Sequence, residues 1–229
     1  MMPHQNTDQH SINLKVCGLS QISQIEELIS LNTDFLGFIF YPKSPRYVLS
    51  HLELHSIADV NHTGKVGVFV NEYIETIVEY AEKAKLKYIQ LHGDENETYI
   101  SELRQKLNPE IKIIKVVRIG QQTPDNKHIE GLISSINLIK NTIDYLLFDT
   151  DSKAFGGTGK QFDWSLLNEF EIPLPYFLSG GISEDNIKDI KILVQQPFAL
   201  DINSKFETEP GIKNIETIKA FKSNLSNSI

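Results

Sequence analysis

The feature of this chain that most constrains its fold is a rhythm. Short apolar runs alternate with longer amphipathic stretches along nearly its whole length. Runs rich in apolar and β-branched residues at 12–16, 35–40, 65–70, 88–91, 111–117, 145–148, 176–178 and 198–202 read as strands. The stretches 22–31, 49–60, 72–85, 95–107, 128–140, 164–170, 184–193 and 212–225 read as helices; in the first, Ile22, Ile25, Leu28 and Ile29 share one face. Strands joined through helices run parallel, because each crossover returns the chain to the same end of the sheet. Eight such units predict an α/β fold, a closed (β/α)8 TIM barrel, which takes roughly 200–250 residues; the chain has 229. An open doubly wound sheet is the other architecture that this alternation allows.

No linker, low-complexity segment or charge block divides the chain, so residues 12–229 are expected to form one catalytic barrel domain. Residues 1–11 are polar, lack the apolar core of a secretory signal and are expected to be a disordered extension. No run approaches the ~18 apolar residues of a membrane span. The net charge of −8 argues against broad binding to nucleic acid or anionic membrane, while leaving room for a local anion pocket. The one cysteine, Cys17, allows neither an internal disulfide nor a cysteine-built zinc cage and is compatible with a reducing cytoplasm.

In a barrel, chemistry collects where strands end. The predicted strand ends carry Cys17-Gly18, Tyr41-Pro42-Lys43-Ser44-Pro45-Arg46, Val70-Asn71, Gln90-Leu91-His92-Gly93, Arg118, Asp149, Ser179-Gly180-Gly181 and Asp201-Ile202-Asn203-Ser204. Two glycine turns, Phe155-Gly156-Gly157-Thr158-Gly159-Lys160 and Ser179-Gly180-Gly181, offer backbone N–H groups to an anion. The first is not a Walker loop, because Ala154 and Gln161 stand where glycine and a hydroxyl residue are required. Their place late in the chain suits phosphate, which barrels bind with the last loops; a flexible turn is the alternative.

Each candidate side chain has two readings. Cys17 is a base or nucleophile, with Lys15 two residues away on the same strand face, or it is a small buried apolar residue. Asp149 is a general acid or a loop cap. Arg46 grips a carboxylate or phosphate, or lies on the surface. His92 has a structural role or bonds substrate. His51 and His55 are spaced i, i+4, as zinc ligands on a helix can be, but the motif is incomplete and its helix belongs to the outer ring, so no metal is expected.

Lys15-Val16-Cys17-Gly18-Leu19, Gly37–Val48, Lys65–Asn71, Gln90-Leu91-His92-Gly93, Phe148-Asp149-Thr150, Gly156–Trp164, Ser179-Gly180-Gly181-Ile182 and Asp201-Ile202-Asn203-Ser204 occur in this order. As an ordered set over about residues 12–213 they resemble phosphoribosylanthranilate isomerase of tryptophan biosynthesis. The resemblance implies an Amadori rearrangement without metal or organic cofactor: N-(5-phosphoribosyl)anthranilate becomes 1-(2-carboxyphenylamino)-1-deoxyribulose 5-phosphate. It implies Asp149 as general acid at the ring oxygen and Cys17 as general base at C2. Arg46 would meet the anthranilate side, and Gly157, Gly159, Gly180, Gly181, Asn203, Ser204 and His92 would complete the substrate contacts. The implied partner is a phosphorylated small molecule, not nucleic acid or membrane, and the implied enzyme is a cytoplasmic monomer or homodimer. Lys205 stands where the family usually has glycine; it either strains the loop or adds charge near the phosphate. Other phosphate-binding barrels, such as an indole-glycerol-phosphate synthase or a sugar-phosphate epimerase, and a non-catalytic phosphosugar-binding protein are the competing readings. Retention of both Cys17 and Asp149 counts against the last.

Overall fold

The computed structural model describes residues 12–120, 126–150 and 161–228. Eight parallel strands, β1 (Asn13–Cys17), β2 (Phe35–Ile39), β3 (Lys65–Phe69), β4 (Tyr88–Leu91), β5 (Lys112–Ile119), β6 (Tyr145–Thr150), β7 (Tyr176–Leu178) and β8 (Ala199–Ile202), pair in chain order. β8 then pairs with β1, Lys15 lying opposite Asp201, so the sheet has no edge and the open doubly wound alternative is excluded.

Side chains alternate across this closed sheet. Leu14, Val16, Leu36, Phe38, Leu146 and Phe148 join the core beneath the helices. Cys17, Val66, Val68, Ile114, Val116, Leu147 and Ala199 fill the barrel interior. Both faces are thus buried, which is why the strands read as nearly continuous apolar runs. At the end of the barrel where strands begin, Phe35, Tyr88, Tyr145, Phe177 and Phe198 interlock, with ring centroids 5.1–6.2 Å apart. This aromatic plug closes one end, leaving the strand C-termini to carry polar groups.

Around the barrel lie α1 (Ile22–Ser30), α2 (Leu54–Asp59), α3 (Ile74–Lys83), α4 (Glu97–Lys106), α5 (Asn126–Ile139) and α6 (Ile215–Ser228). In α3, Ile74, Ile77 and Ala81 make the buried face, with Glu75 in the first turn and Lys83 in the last, as the helix dipole favours. Asn96 caps α4, its side-chain oxygen accepting the Tyr99 N–H at 3.0 Å. None of the described helices is long and apolar enough to cross a membrane.

Four expected helices change form. Residues 49–60 split into a 3₁₀ turn at Val48–Ser50 and the short α2. Buried Lys65 ends α2 by donating to the carbonyls of Ile57, Ala58 and Val60 at 3.0–3.1 Å. His51 therefore lies outside the helix, so it and His55 do not share a helix face; His55 instead pairs with the exposed Glu53. Residues 164–170 form a 3₁₀ helix, Trp164–Asn168, opened by the Asp163 carboxylate accepting the Ser165 N–H. In 184–193 only Ile187–Ile192 winds, also as 3₁₀. The Asn186 side chain accepts the Ser183 N–H and donates to the Gly181 carbonyl, which holds the first part of this segment in a turn. Residues 207–213 form a hairpin of β9 (Glu207–Glu209) and β10 (Ile212–Lys213), and the last helix begins only at Ile215.

Candidate active site

Cys17 ends β1 with its thiol inside the barrel mouth, almost fully buried. Gly37, opposite it in β2, makes the space: a Cβ there would lie 2.9 Å from the Cys17 sulfur. One interior position deeper, Lys15 donates to Asp201 Oδ1 at 2.8 Å, both side chains buried. Burial opposes the Lys15 charge, but Asp201 and the neighbouring thiol hold the ammonium protonated, above the ordinary lysine range. Burial likewise pushes the Cys17 thiol up; Lys15 and Lys213 pull against this, and Asp201 adds to it.

Asp149 lies near the end of β6, buried. Its Oδ1 accepts the Thr150 N–H at 2.8 Å, and its Oδ2 lies 3.4 Å from His92 Nε2. The other His92 ring nitrogen, Nδ1, is 3.0 Å from the side-chain nitrogen of buried Gln90. The backbone beyond His92 is pinned by a buried ion pair: Lys115 donates to Glu95 Oε2 at 2.7 Å and to the Gly93 carbonyl at 2.8 Å. Glu95 Oε1 in turn accepts the N–H groups of Asn71 and Gly93. The electrostatic surroundings of Asp201 include Lys15, Asp149 and His92, and those of Cys17 include Asp201; the ends of β1, β4, β6 and β8 thus form one polar cluster.

Arg46 is buried rather than on the surface. Its Nε and Nη2 donate to Glu207 at 2.6–2.9 Å. Lys213 donates to the same carboxylate at 2.6 Å and to Asn203 Oδ1 at 2.8 Å. Burial pushes the Glu207 carboxyl up, but the Arg46 hydrogen bond and the Lys213 charge together hold it below the usual carboxylate range. Two buried cations thus share one carboxylate, which leaves this corner suited to a further anionic group. Lys213 falls in the stretch 212–225 that reads as a helix, which hides from the sequence the hairpin that brings it to Glu207. The Pro210-Gly211 pair was the available signal for the turn that delivers both.

The glycine turn after β7 is shaped for close backbone approach. Gly180 has φ +86°, and a Cβ on it would stand 2.3 Å from Thr150 Oγ1 and 3.1 Å from Asp149 Oδ1. Gly181, at φ +74°, has its carbonyl held by Asn186. After β8, Ser204–Phe206 form a single 3₁₀ turn with Lys205 exposed. Lys205 is not among the described non-glycine residues with positive φ, so the departure from glycine strains nothing. Gly157 and Gly159 lie outside the described residues, as does the rest of 151–160. Cys17, Arg46, His92, Asp149, Gly180, Gly181, Asn203 and Ser204 all sit at or just beyond strand C-termini, on one rim of the barrel.

A buried thiol, a carboxyl linked to an imidazole and a cationic corner on one barrel mouth suit proton transfers on an anionic small molecule. The family model for N-(5'phosphoribosyl)anthranilate (PRA) isomerase matches residues 14–224. N-(5'-phosphoribosyl)anthranilate isomerase of Parabacteroides distasonis is 37% identical over 211 residues, covering 91% of this chain and 90% of that protein. The crystal structure of phosphoribosyl anthranilate isomerase from Thermotoga maritima superimposes with a TM-score of 0.73 at 30% identity, covering 94% of this chain and 99% of that one. A further phosphoribosyl anthranilate isomerase, solved with reduced 1-(o-carboxyphenylamino)-1-deoxyribulose 5-phosphate, gives a TM-score of 0.71 at 29% identity, with 94% and 99% covered. With its barrel, its ordered rim residues and these relatives in agreement, the chain belongs to the N-(5'-phosphoribosyl)anthranilate isomerase family, intramolecular aldose–ketose isomerases of tryptophan biosynthesis.

Proposed function

We propose that this chain converts N-(5-phosphoribosyl)anthranilate to 1-(2-carboxyphenylamino)-1-deoxyribulose 5-phosphate, with Asp149 as general acid and Cys17 as general base. The reading is supported above all by the convergence of these two side chains, from strands β1 and β6, on one barrel mouth around Asp201. Asp149, protonated, gives its proton to the furanose ring oxygen. The C1–oxygen bond breaks, and the amino nitrogen supplies the electrons of the resulting Schiff base. The Cys17 thiolate then takes the C2 proton, and that bond's electrons form the C1–C2 double bond of an enolamine. Protonation at C1 and loss of the O2 proton complete the ketone, so the reaction is an isomerisation with no net redox change.

The thiol is the harder group to prepare, because burial holds its proton on. The Lys15 ammonium favours the thiolate and is itself kept charged by Asp201. Arg46 and Lys213 supply positive charge for the anthranilate carboxylate. Backbone N–H groups at Gly181 and Ser204 hold the phosphate, with Gly157 and Gly159, outside the described residues, as the further candidates, and Gly180, Asn203 and His92 line the sugar. Holding the phosphate far from the reacting carbons fixes the ribose between acid and base. Residues 12–229 act as one catalytic domain, in the cytoplasm, as a monomer or homodimer and without a cofactor.

The test is turnover of freshly prepared phosphoribosylanthranilate without added metal, followed by loss of anthranilate-type fluorescence and checked by product mass. Asp149→Asn and Cys17→Ala should each lower kcat by about 10²–10⁴-fold, the usual range for losing an acid or base, with little change in KM. Unchanged turnover in either variant removes that residue from the mechanism. A folded wild-type chain that binds the product but converts nothing would favour a phosphosugar-binding protein instead.

A further inference from the structure

The reaction scheme uses the Asp149 carboxyl and leaves unexplained what stands behind it. Gln90 points into the barrel interior from β4, almost fully buried. Its side-chain nitrogen meets His92 Nδ1 at 3.0 Å, while its Oε1 has no hydrogen-bond partner among the described residues. A buried acceptor without a donor costs stability. Leucine or methionine would fill this layer, between Tyr88 below and His92 above, without that cost. The amide is thus not required by packing, and among the described residues its one polar side-chain contact is the imidazole.

That contact has a definite consequence. With the Gln90 amide nitrogen toward the ring, the amide donates, a neutral His92 accepts at Nδ1, and the ring proton is then on Nε2. Nε2 is the nitrogen that faces Asp149 Oδ2, at 3.4 Å. With the opposite tautomer, two N–H groups would face each other at Nδ1 and a lone pair would face the carboxylate. The other Asp149 oxygen already accepts the Thr150 N–H at 2.8 Å. The His92 side chain and the backbone of Thr150 thus face the Asp149 carboxyl, and Gln90 stands behind the imidazole.

We propose that Gln90 is a positioning residue: it fixes His92 as the Nε2–H tautomer, so that His92 stabilises the Asp149 carboxylate formed as the sugar ring opens. This rests on the reading of Asp149 as the acid. At 3.4 Å the two groups are in electrostatic contact rather than hydrogen-bonded; as negative charge develops on Oδ2 an Nε2–H donor is drawn into a hydrogen bond, so the interaction is stronger in the transition state than before it. The ion pair of Lys115 with Glu95 keeps the backbone after His92 from moving away. His92 then serves the leaving proton as well as lining the sugar.

The experiment uses the full chain carrying ¹⁵N-labelled histidine, with the His92 signals assigned by their loss in His92→Asn. At mildly alkaline pH the wild type should show a bare Nδ1 and a protonated Nε2. Gln90→Glu, of the same shape but able only to accept from an N–H when ionised, should reverse the tautomer. It should also lower kcat about 10–100-fold with KM within about threefold, the pattern of an interaction made only in the transition state. Gln90→Met, which introduces no buried charge, should lose the single tautomer and lower kcat about tenfold while remaining folded by circular dichroism. A protonated Nδ1 in the wild type, or kcat unchanged in Gln90→Met, would overturn the proposal. These outcomes are separable from the acid assignment: if Asp149→Asn keeps full turnover, the acid reading fails whatever the tautomer; if it is inactive while Gln90→Met is not, only the role of Gln90 fails.

Discussion

Glu207 joins Arg46 and Lys213 in the buried cationic corner, and Glu207→Ala should destabilise the whole chain. Its side chain is 4% exposed, and its two oxygens take bonds from Arg46 Nε and Nη2 and from Lys213 Nζ, together with the Gly211 N–H at 3.0 Å. Counting each charge-assisted bond at ~1.5–3 kcal/mol would give a sum near 10 kcal/mol. That sum overcounts, because the bonds share one carboxylate and the buried charges were costly to desolvate in the first place. The better guide is the loss on removing one partner of a buried ion pair, about 3–5 kcal/mol, since the orphaned cations remain. Lys213 keeps its bond to Asn203, which favours the lower end of that range. For a chain of 229 residues, at about 2–4 °C per kcal/mol, Tm should fall by roughly 6–15 °C. Thermal and urea unfolding measure this directly, the urea slope staying constant if only the folded state has changed. Adding Lys213→Met should restore part of the loss by removing one orphaned charge. The pH dependence has a fixed sign. Because the Glu207 carboxyl is held low in the folded state, its contribution is present above the unfolded carboxylate value of about 4.3 and is lost as pH falls through the folded one. The gap between wild type and Glu207→Ala should therefore be wide at neutral pH and close in acid. A Tm within about 2 °C of wild type, with no rescue by Lys213→Met, would refute the reasoning.

Two further predictions concern single side chains. Cys17 is the only thiol, so alkylation by iodoacetamide reports on it alone; because burial raises it, labelling of the folded chain should be slow at neutral pH and rise nearly tenfold per pH unit, whereas fast, pH-independent labelling would mean a preformed thiolate. Lys205→Gly should cost about 0.5–1 kcal/mol in urea unfolding, because the residue sits in an unstrained 3₁₀ turn where glycine only adds freedom to the unfolded chain; stabilisation would show that lysine strains the loop.

Much of this molecule is legible in its sequence. The eight strand positions follow from apolar runs, because a strand buried on both faces has no polar side to disguise it. The rim residues follow from the strand ends, because in a barrel every parallel strand delivers its last residue to the same mouth. Where the reading failed, local pattern and long-range contact disagreed. Residues 184–193 have apolar residues at helical spacing, yet the Asn186 side chain bonds the 181–183 backbone and only a 3₁₀ segment follows. Residues 212–214 look like the start of a helix, but Lys213 is taken up by Glu207 and Asn203 in a hairpin.

Identity of the rim residues therefore belongs to the sequence: Cys17, Asp149, Arg46 and His92 are named by strand ends and motif order. Their state belongs to the tertiary structure. Whether a thiol is held protonated, whether an arginine is already committed to a carboxylate, or which nitrogen of an imidazole carries its proton depends on burial and on partners far away in the chain. Asp201 lies 186 residues from Lys15, and Glu207 lies 161 from Arg46. Closure of the barrel brings such residues within 3 Å, and at that distance in a buried setting electrostatics outweighs anything local sequence can encode.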